Sequence, residues 1–100
     1  MLVRVGNVKD IAPGQIRAFD AAGTKVAVAN VDGHLYAFDD TCTHRGCSLA
    51  TGRLDGTTVT CPCHHSQFDA MSGAVVRGPA TQPVRSRSVQ VAGEDVLVEA

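Results

Sequence analysis

Two short segments rich in cysteine and histidine constrain this chain more than any other feature. Segment 42–47 is CTHRGC, and segment 61–66 is CPCHHS. Together they contain all four cysteines and three of the four histidines of the chain. Thiolates and imidazoles are ligands that transition metals prefer in proteins. The sequence therefore predicts a metal centre that is held between two loops.

Length and charge limit the kind of protein. A chain of 100 residues predicts one domain, residues 1–100. The formal net charge of −1 does not favour nucleic acid as a partner. The longest apolar stretches, such as 26–29, are far too short to span a bilayer, and the N-terminal residues do not form an export signal. We therefore expect a cytoplasmic protein that binds neither nucleic acid nor membrane.

Apolar and polar residues alternate along most of the chain, which predicts strands rather than helices. Glycine or proline interrupts the pattern about every eight to twelve residues, as is typical of an antiparallel β-sandwich or barrel. The expected strands are one through Val3, Val5 and Val8, then 15–19, 25–30, 34–38, 53–54, 58–61, one around Phe68, 74–76, 88–91 and 95–98. We expect an all-β fold in which a metal-binding hairpin subdomain, about 41–83, is inserted between the outer strands.

The spacing of the metal-binding residues does not fix the ligands. Cys42 and His44 form a Cys-x-His pair, and sixteen residues later Cys61 begins a Cys-x-x-His pair. Cys63 and His65 form another Cys-x-His pair, and Cys47 is a further candidate. Two cysteines with two histidines suit a mixed-ligand [2Fe-2S] cluster and also tetrahedral zinc. A secreted disulfide scaffold is the weaker alternative, because histidines are interleaved with the cysteines at metal-ligand spacing.

The two segments resemble the two cluster-binding boxes of the Rieske iron–sulfur proteins. Their residues, their order and the length between them are similar to that family, and segment 78–80 (Gly-Pro-Ala) resembles its proline loop. The resemblance is strong over about 41–83, and the flanking segments are compatible with it. The chain is therefore similar to a Rieske-type ferredoxin of the branch that contains a disulfide.

The resemblance implies a ligand set and a disulfide. The [2Fe-2S] cluster would be held by Cys42 and Cys61 on one iron and by His44 and His64 on the other. The other two cysteines, Cys47 and Cys63, would form a disulfide that ties the two loops together. Such a link is worth about 3 kcal/mol by loop-closure entropy. Replacing two thiolates by neutral imidazoles makes the centre easier to reduce than an all-cysteine cluster.

The resemblance also implies roles around the cluster. Gly46 belongs to the first loop, Ser66 would donate a hydrogen bond to a bridging sulfide, and Pro79 would cover the cluster. Phe68 stands where relatives of high potential have a tyrosine that donates to a cysteine sulfur. Because a lost donor leaves negative charge on sulfur less stabilised, we expect a midpoint potential of roughly −150 to +100 mV.

Two further residues are candidates for contact with a partner. Arg45 stands where quinol-oxidising relatives have a leucine that packs at the quinone pocket, so we expect it to meet an acidic or polar protein surface. His65 follows a proposed ligand and is expected at the solvent edge of the second loop.

The resemblance implies a soluble one-electron carrier rather than an enzyme. Electrons would come from a ferredoxin reductase and go to a terminal oxygenase or a similar acceptor. One hundred residues leave no room for the catalytic mononuclear iron domain of a complete oxygenase. The alternatives are a small electron-transfer subunit of a larger oxidoreductase and a structural zinc module. We expect the carrier to be a monomer.

Overall fold

The computed structural model describes residues 1–43, 46–63 and 65–100. Within these residues it contains strands and two short 3-10 turns, Val8–Asp10 and Leu49–Thr51, and it has no α-helix. The strands are β1 (Leu2–Asn7), β2 (Ile16–Ala21), β3 (Thr24–Val31), β4 (His34–Asp39), β5 (Arg53–Asp55), β6 (Thr58–Thr60), β7 (Gln67–Asp69), β8 (Val75–Arg77), β9 (Ser86–Arg87), β10 (Val89–Ala92) and β11 (Asp95–Glu99). The all-β prediction is confirmed. In the described ranges, no helix is long and apolar enough to cross a membrane.

The strands form three antiparallel sheets. Strand β11 lies between β1 and β10 in the first sheet, and the second has the order β2-β3-β4-β9. The third sheet has the order β5-β6-β7-β8. Because β4 pairs directly with β9, the third sheet and both cysteine-rich segments lie between two strands that are neighbours in the second sheet. The predicted hairpin insertion is therefore present.

Strand β3 is buried on both faces and separates two apolar cores. Val26 and Val28 pack with Val96 and Val98 of β11 in the core beneath the first sheet. Side chains alternate between the faces of a strand, so Ala27 and Ala29 pack in the other core. That second core contains Phe38, Leu49, Val59, Phe68 and the cysteines Cys42 and Cys61. The continuous small apolar run of β3 thus serves both layers of the molecule.

Two tight turns connect the strands of the second sheet. Asp32 and Gly33 have φ values of 52° and 91°, the left-handed pair that a two-residue hairpin turn favours. The Asn30 side-chain oxygen accepts a hydrogen bond from the Gly33 amide at 2.7 Å. Ala22 and Gly23 make the same kind of turn between β2 and β3. The hairpin signal of Asp-Gly thus correctly predicted the turn after β3.

The prediction that Val8 belongs to the first strand is wrong. The strand β1 ends at Asn7, and a 3-10 turn follows. The Asn7 side chain accepts from the Lys9 amide, and the Asp10 side chain accepts from the Asn7 amide. These two bonds form a capping box that starts the turn. The spacing Asn-x-x-Asp in the sequence was the signal for it.

Candidate metal centre

The two cysteine-rich segments fold into loops with the same backbone hydrogen bonds. In the first loop, the Gly46 amide donates to the Cys42 carbonyl at 2.8 Å, and the Cys42 amide donates to the Cys47 carbonyl at 2.8 Å. In the second loop, the His65 amide donates to the Cys61 carbonyl at 3.1 Å, and the Cys61 amide donates to the Ser66 carbonyl at 2.8 Å. Each loop therefore begins with one cysteine that is fixed through both its amide and its carbonyl.

The residue four positions after each of these cysteines adopts a left-handed conformation. Gly46 has φ +74° and His65 has φ +62°. Glycine adopts such a conformation without strain, whereas a residue with a Cβ atom does so at a cost. The two loops thus meet the same backbone requirement with different residues, and the second does so with an exposed histidine.

The first cysteine of each loop is buried in one shared core. Cys42 is 2% exposed and Cys61 is 1% exposed, and both lie in the core that also contains Phe38 and Phe68. The other two cysteines, Cys47 and Cys63, form a disulfide with 6.5 Å between their Cα atoms. This bond connects the end of the first loop to the middle of the second.

Three of the predicted site residues, His44, Arg45 and His64, lie outside the described residues. Among the others, Ser66 and Phe68 are fully buried, whereas Gly46, His65 and Pro79 are exposed. The structure therefore brings two predicted sulfur ligands into one core and leaves the predicted partner-contact residue His65 at the surface.

The segment after β8 is attached to both loops. The Ala80 amide donates to the Ser66 hydroxyl oxygen at 3.0 Å in a buried position. The Thr43 hydroxyl donates to the Gln82 carbonyl at 2.6 Å. One hydrogen bond to each loop holds segment 78–82 against the two loops, with Pro79 exposed. The contribution of Thr43 was missed in the sequence, because a threonine between two candidate ligands has no distinctive pattern.

A buried aspartate anchors the end of the first loop. The Asp40 carboxylate accepts from the Ser48 hydroxyl at 2.6 Å and from the Ala50 amide at 2.8 Å. The Asp40 carbonyl accepts from the Leu49 amide at 2.8 Å. These bonds hold the 3-10 turn Leu49–Thr51 beside the residue that enters the loop.

A cationic cleft lies beside the first loop. Its volume is about 470 Å³, and its lining includes Lys25, Arg85, Asp39, Thr41 and Thr43. The Asp39 carboxylate is paired with the Arg87 guanidinium at 2.5 Å. Among the ion pairs of the described residues, none involves Lys25 or Arg85. The cleft therefore presents two exposed positive charges next to Thr43.

The residues fit the mixed-ligand cluster that the sequence suggested. The two cysteines are held at equivalent positions of matching loops, in a buried apolar core. Burial among apolar side chains limits solvent access, one of the factors that set the potential of an iron–sulfur cluster. The disulfide and the hydrogen bonds of segment 78–82 to both loops keep the loops together.

Comparisons with known proteins identify the kind of site. The family model of the Rieske [2Fe-2S] domain matches residues 1–97. The chain is 34% identical to the ferredoxin component of biphenyl 2,3-dioxygenase from Rhodococcus jostii, over 98% of this chain and 92% of that protein. The ferredoxin of carbazole 1,9a-dioxygenase from Nocardioides aromaticivorans is 33% identical with a TM-score of 0.93, covering 98% of this chain and 96% of that one.

A second solved structure shows a relative with its partner. It is a complex of reduced oxygenase and oxidised ferredoxin in carbazole 1,9a-dioxygenase. The matching chain is 36% identical with a TM-score of 0.91, and the match covers 97% of this chain and 91% of that one. These findings favour the [2Fe-2S] interpretation of the donor set over the zinc module.

Proposed function

Since the chain belongs to the Rieske [2Fe-2S] domain family, we propose that it is a one-electron carrier between a ferredoxin reductase and a terminal oxygenase or similar acceptor. The observation that carries this proposal is the pair of buried cysteines at equivalent positions of two matching loops. The relatives are ferredoxin components of dioxygenase systems, and one was solved together with its oxygenase. In this role the chain transfers an electron and does not itself transform a substrate.

The proposed ligands are two cysteines and two histidines. Cys42 and Cys61 would hold one iron, and His44 and His64 would hold the other. When bound, the [2Fe-2S] cluster supplies reversible one-electron chemistry at a raised potential. The backbone bonds of Cys42 and Cys61 fix where both sulfurs enter the core, and the Cys47–Cys63 disulfide keeps the loops from separating.

Residues next to the ligands would set the reduction potential of the cluster and the shape of the loops that hold it. Ser66 accepts a hydrogen bond from Ala80, and that bond does not use the hydrogen of its own hydroxyl. We assign this hydrogen to a sulfur of the cluster. Phe68 fills the core without offering a hydrogen-bond donor. Gly46 allows the first loop to turn, and Pro79 lies in the segment that covers the centre.

The partner surface would be the cationic end of the molecule. Arg45 and His65 are the proposed contact residues, and the cleft with Lys25 and Arg85 extends this surface beside the first loop. Within the described part of the chain Lys25 and Arg85 have no ion-pair partner, and such cations favour a partner that presents carboxylates, because complementary charge speeds association. This end contrasts with the formal net charge of −1 for the whole chain.

We place residues 1–100 in one Rieske domain with a cluster-binding subdomain of about 41–83. The shared burial of β3 by two cores supports a single domain, and the separate sheet β5-β6-β7-β8 supports the subdomain. A cytoplasmic monomer remains the proposal for location and assembly. The alternative of a small subunit of a larger oxidoreductase predicts stable co-purification with a large subunit. Cell fractionation and size-exclusion chromatography of the native protein test these points.

Electron paramagnetic resonance of the dithionite-reduced protein tests the proposed function. Mixed nitrogen and sulfur ligation gives a lower average g value than all-sulfur ligation, and we expect the lower value. Analysis for iron and acid-labile sulfide accompanies the spectrum. A natively prepared protein with zinc instead of iron, or with an all-sulfur signal, would contradict the proposal.

A further inference from the structure

A third cysteine sulfur lies close to the disulfide. The Sγ atoms of Cys47, Cys61 and Cys63 all lie within 4.8 Å of one another. Cys61 is buried, Cys47 is half-buried and Cys63 is exposed. The proposed cluster ligand Cys61 is thus a neighbour of both sulfurs of the disulfide. The spacing of the sequence also left Cys47 and Cys63 open as metal ligands.

This arrangement matches the geometry of a soft metal site once the disulfide is opened. A Zn–S distance of about 2.3 Å in a tetrahedral site places its sulfurs about 3.8 Å apart. Cys61 therefore needs to approach the other two sulfurs by only about 1 Å. The Cα atoms of Cys47 and Cys63 are 6.5 Å apart, near the upper end of the range for a disulfide, about 4.4–6.8 Å. The backbone thus leaves room for the two sulfurs to separate.

We propose that reduction of the Cys47–Cys63 disulfide creates, together with Cys61, a three-thiolate site for a soft divalent cation. By staying oxidised, the disulfide keeps this site closed and preserves the ligand set of the iron–sulfur centre. This inference rests on the proposed ligand role of Cys61, because a cation bound there removes Cys61 from the cluster. The disulfide would then determine that Cys61 binds the cluster and not the cation, in addition to linking the two loops.

The reduction step needs a dithiol or a phosphine. A dithiol attacks the exposed Cys63 sulfur, the Cys47–Cys63 bond breaks, and Cys47 leaves as a thiolate that takes a proton. The second thiol of the reductant then displaces Cys63 and forms its own disulfide. Two electrons and two protons have passed to the protein. A divalent cation that binds the three sulfurs displaces the two protons of Cys47 and Cys63 into solution and takes the Cys61 thiolate from the iron that it would hold in the cluster.

Cadmium is the probe, because it is soft and forms thiolate complexes that absorb in the ultraviolet. The full chain, purified with its cluster, is treated anaerobically with the phosphine TCEP, with Cd²⁺, with both or with neither. Cadmium retained after desalting and the visible colour of the cluster are measured in each arm. We expect cadmium retention and loss of colour only in the arm with both reagents.

The double variant Cys47→Ser/Cys63→Ser is the matched control, since serine is nearly isosteric with cysteine. It has no reducible pair and lacks two of the three thiolates, and we expect it to bind Cd²⁺ at least about tenfold more weakly than the reduced chain. Equal cadmium affinity in the two proteins would overturn the proposal.

The wild-type arms decide the question even if the double variant does not fold. If TCEP alone bleaches the cluster, the disulfide acts only as a tether and the proposal is wrong. If the colour survives TCEP and also survives TCEP with Cd²⁺, the three-thiolate site does not form and the proposal is equally wrong. Failure of the proposed function is separate, because it appears as a missing Rieske signal in the untreated protein.

Discussion

His65 shows how one residue can be held in a conformation that glycine would adopt more easily. Its φ of +62° matches the +74° of Gly46 in the other loop, and it is exposed. Among the described residues, the structure shows no stabilising contact of the His65 side chain. A residue other than glycine at a left-handed, exposed position is therefore a candidate for contact with a partner.

His65→Gly tests this strain. We expect the variant to be neutral or more stable by up to about 1 kcal/mol, because relief of the left-handed strain offsets the entropy that glycine adds to the unfolded chain. The matched control is His34→Gly, since His34 is also exposed but lies in the strand β4. The control should lose about 0.5–1 kcal/mol. Denaturant unfolding of both variants checks the difference, and equal losses would show that His65 is unstrained.

Ser66→Ala removes the acceptor of the buried Ala80 amide. An amide left without its partner costs about 1–3 kcal/mol, so we expect a loss of stability in that range. If Ser66 also donates to a cluster sulfur, the midpoint potential falls as well, by an amount on the order of tens of millivolts. Protein-film voltammetry separates the two effects. A stability loss without any change in potential would leave Ser66 with a structural role only.

Phe68 bears on the absolute potential. It is fully buried beside the cysteines and carries no hydroxyl, so we expect the midpoint potential of the native protein to lie at roughly −150 to +100 mV. Phe68→Tyr should raise it if the new hydroxyl reaches a sulfur. A native potential well above this window, measured by redox titration, would show that other donors replace the missing one.

At the scale of elements, close backbone contacts hold the hairpin insertion together. Gly52 follows the 3-10 turn, and a Cβ atom placed there would lie 2.0 Å from the Thr60 carbonyl oxygen. Gly73 is left-handed, and a Cβ atom there would lie 2.1 Å from the Val84 carbonyl oxygen. Both glycines let one backbone segment lie directly on another.

Gly52→Ala is expected to destabilise the protein by about 2–4 kcal/mol, because two backbone segments must move apart to admit a methyl group. Gly78→Ala serves as the control, since the nearest atoms to its Cβ position are 3.7 Å away, an ordinary contact. Thermal unfolding of the two variants checks the contrast. A Gly52 variant as stable as the control would mean that the contact relaxes freely.

The strands that local sequence patterns determine could be predicted from the sequence. Alternation of side chains and the Asp32-Gly33 turn indicated the hairpin of β3 and β4. The pairing of β4 with the two-residue strand β9 was not predicted, because it joins residues nearly fifty positions apart and depends on how the insertion folds back. A strand of two residues has no periodicity to detect.

The sequence predicts the donors of the site but not the groups that support them. Cysteine and histidine mark metal ligands by chemical type, so a short motif suffices to suggest them. The supports are backbone amides and ordinary side chains, such as the Ala80 amide bonded to Ser66 and the Thr43 hydroxyl bonded to Gln82. Their role comes from tertiary position, which the motif does not contain. The proximity of Cys61 to the disulfide likewise required the folded chain.

At the scale of the whole molecule, charge is distributed unevenly. Arg4 is paired with Asp95 on the first sheet, and Lys9 is paired with Glu94 in the turns next to it. Lys25 and Arg85 at the cleft have no ion-pair partner in the part of the chain that the structure describes. A molecule with a formal net charge of −1 can therefore attract an anionic partner at one end.

Lys25→Gln/Arg85→Gln tests this attraction. We expect oxidation of the reduced protein by ferricyanide to slow by up to about tenfold at low salt, because the local positive potential falls. The difference should shrink at physiological ionic strength, where the screening length is about 8 Å. Arg4→Gln/Lys9→Gln removes the same charge from the first sheet and should change the rate much less. Stopped-flow measurements that find equal effects would show that only net charge matters.

The double burial of β3 also bears on how such a carrier can change over evolution. One strand contributes Val26 and Val28 to one core and Ala27 and Ala29 to the other, so neither layer can be exchanged without the strand that both require. A change of redox partner is therefore easier to achieve by substituting exposed loop residues than by moving the metal-binding layer to another fold. Because both cores need β3, a change that unfolds one layer is expected to unfold the other.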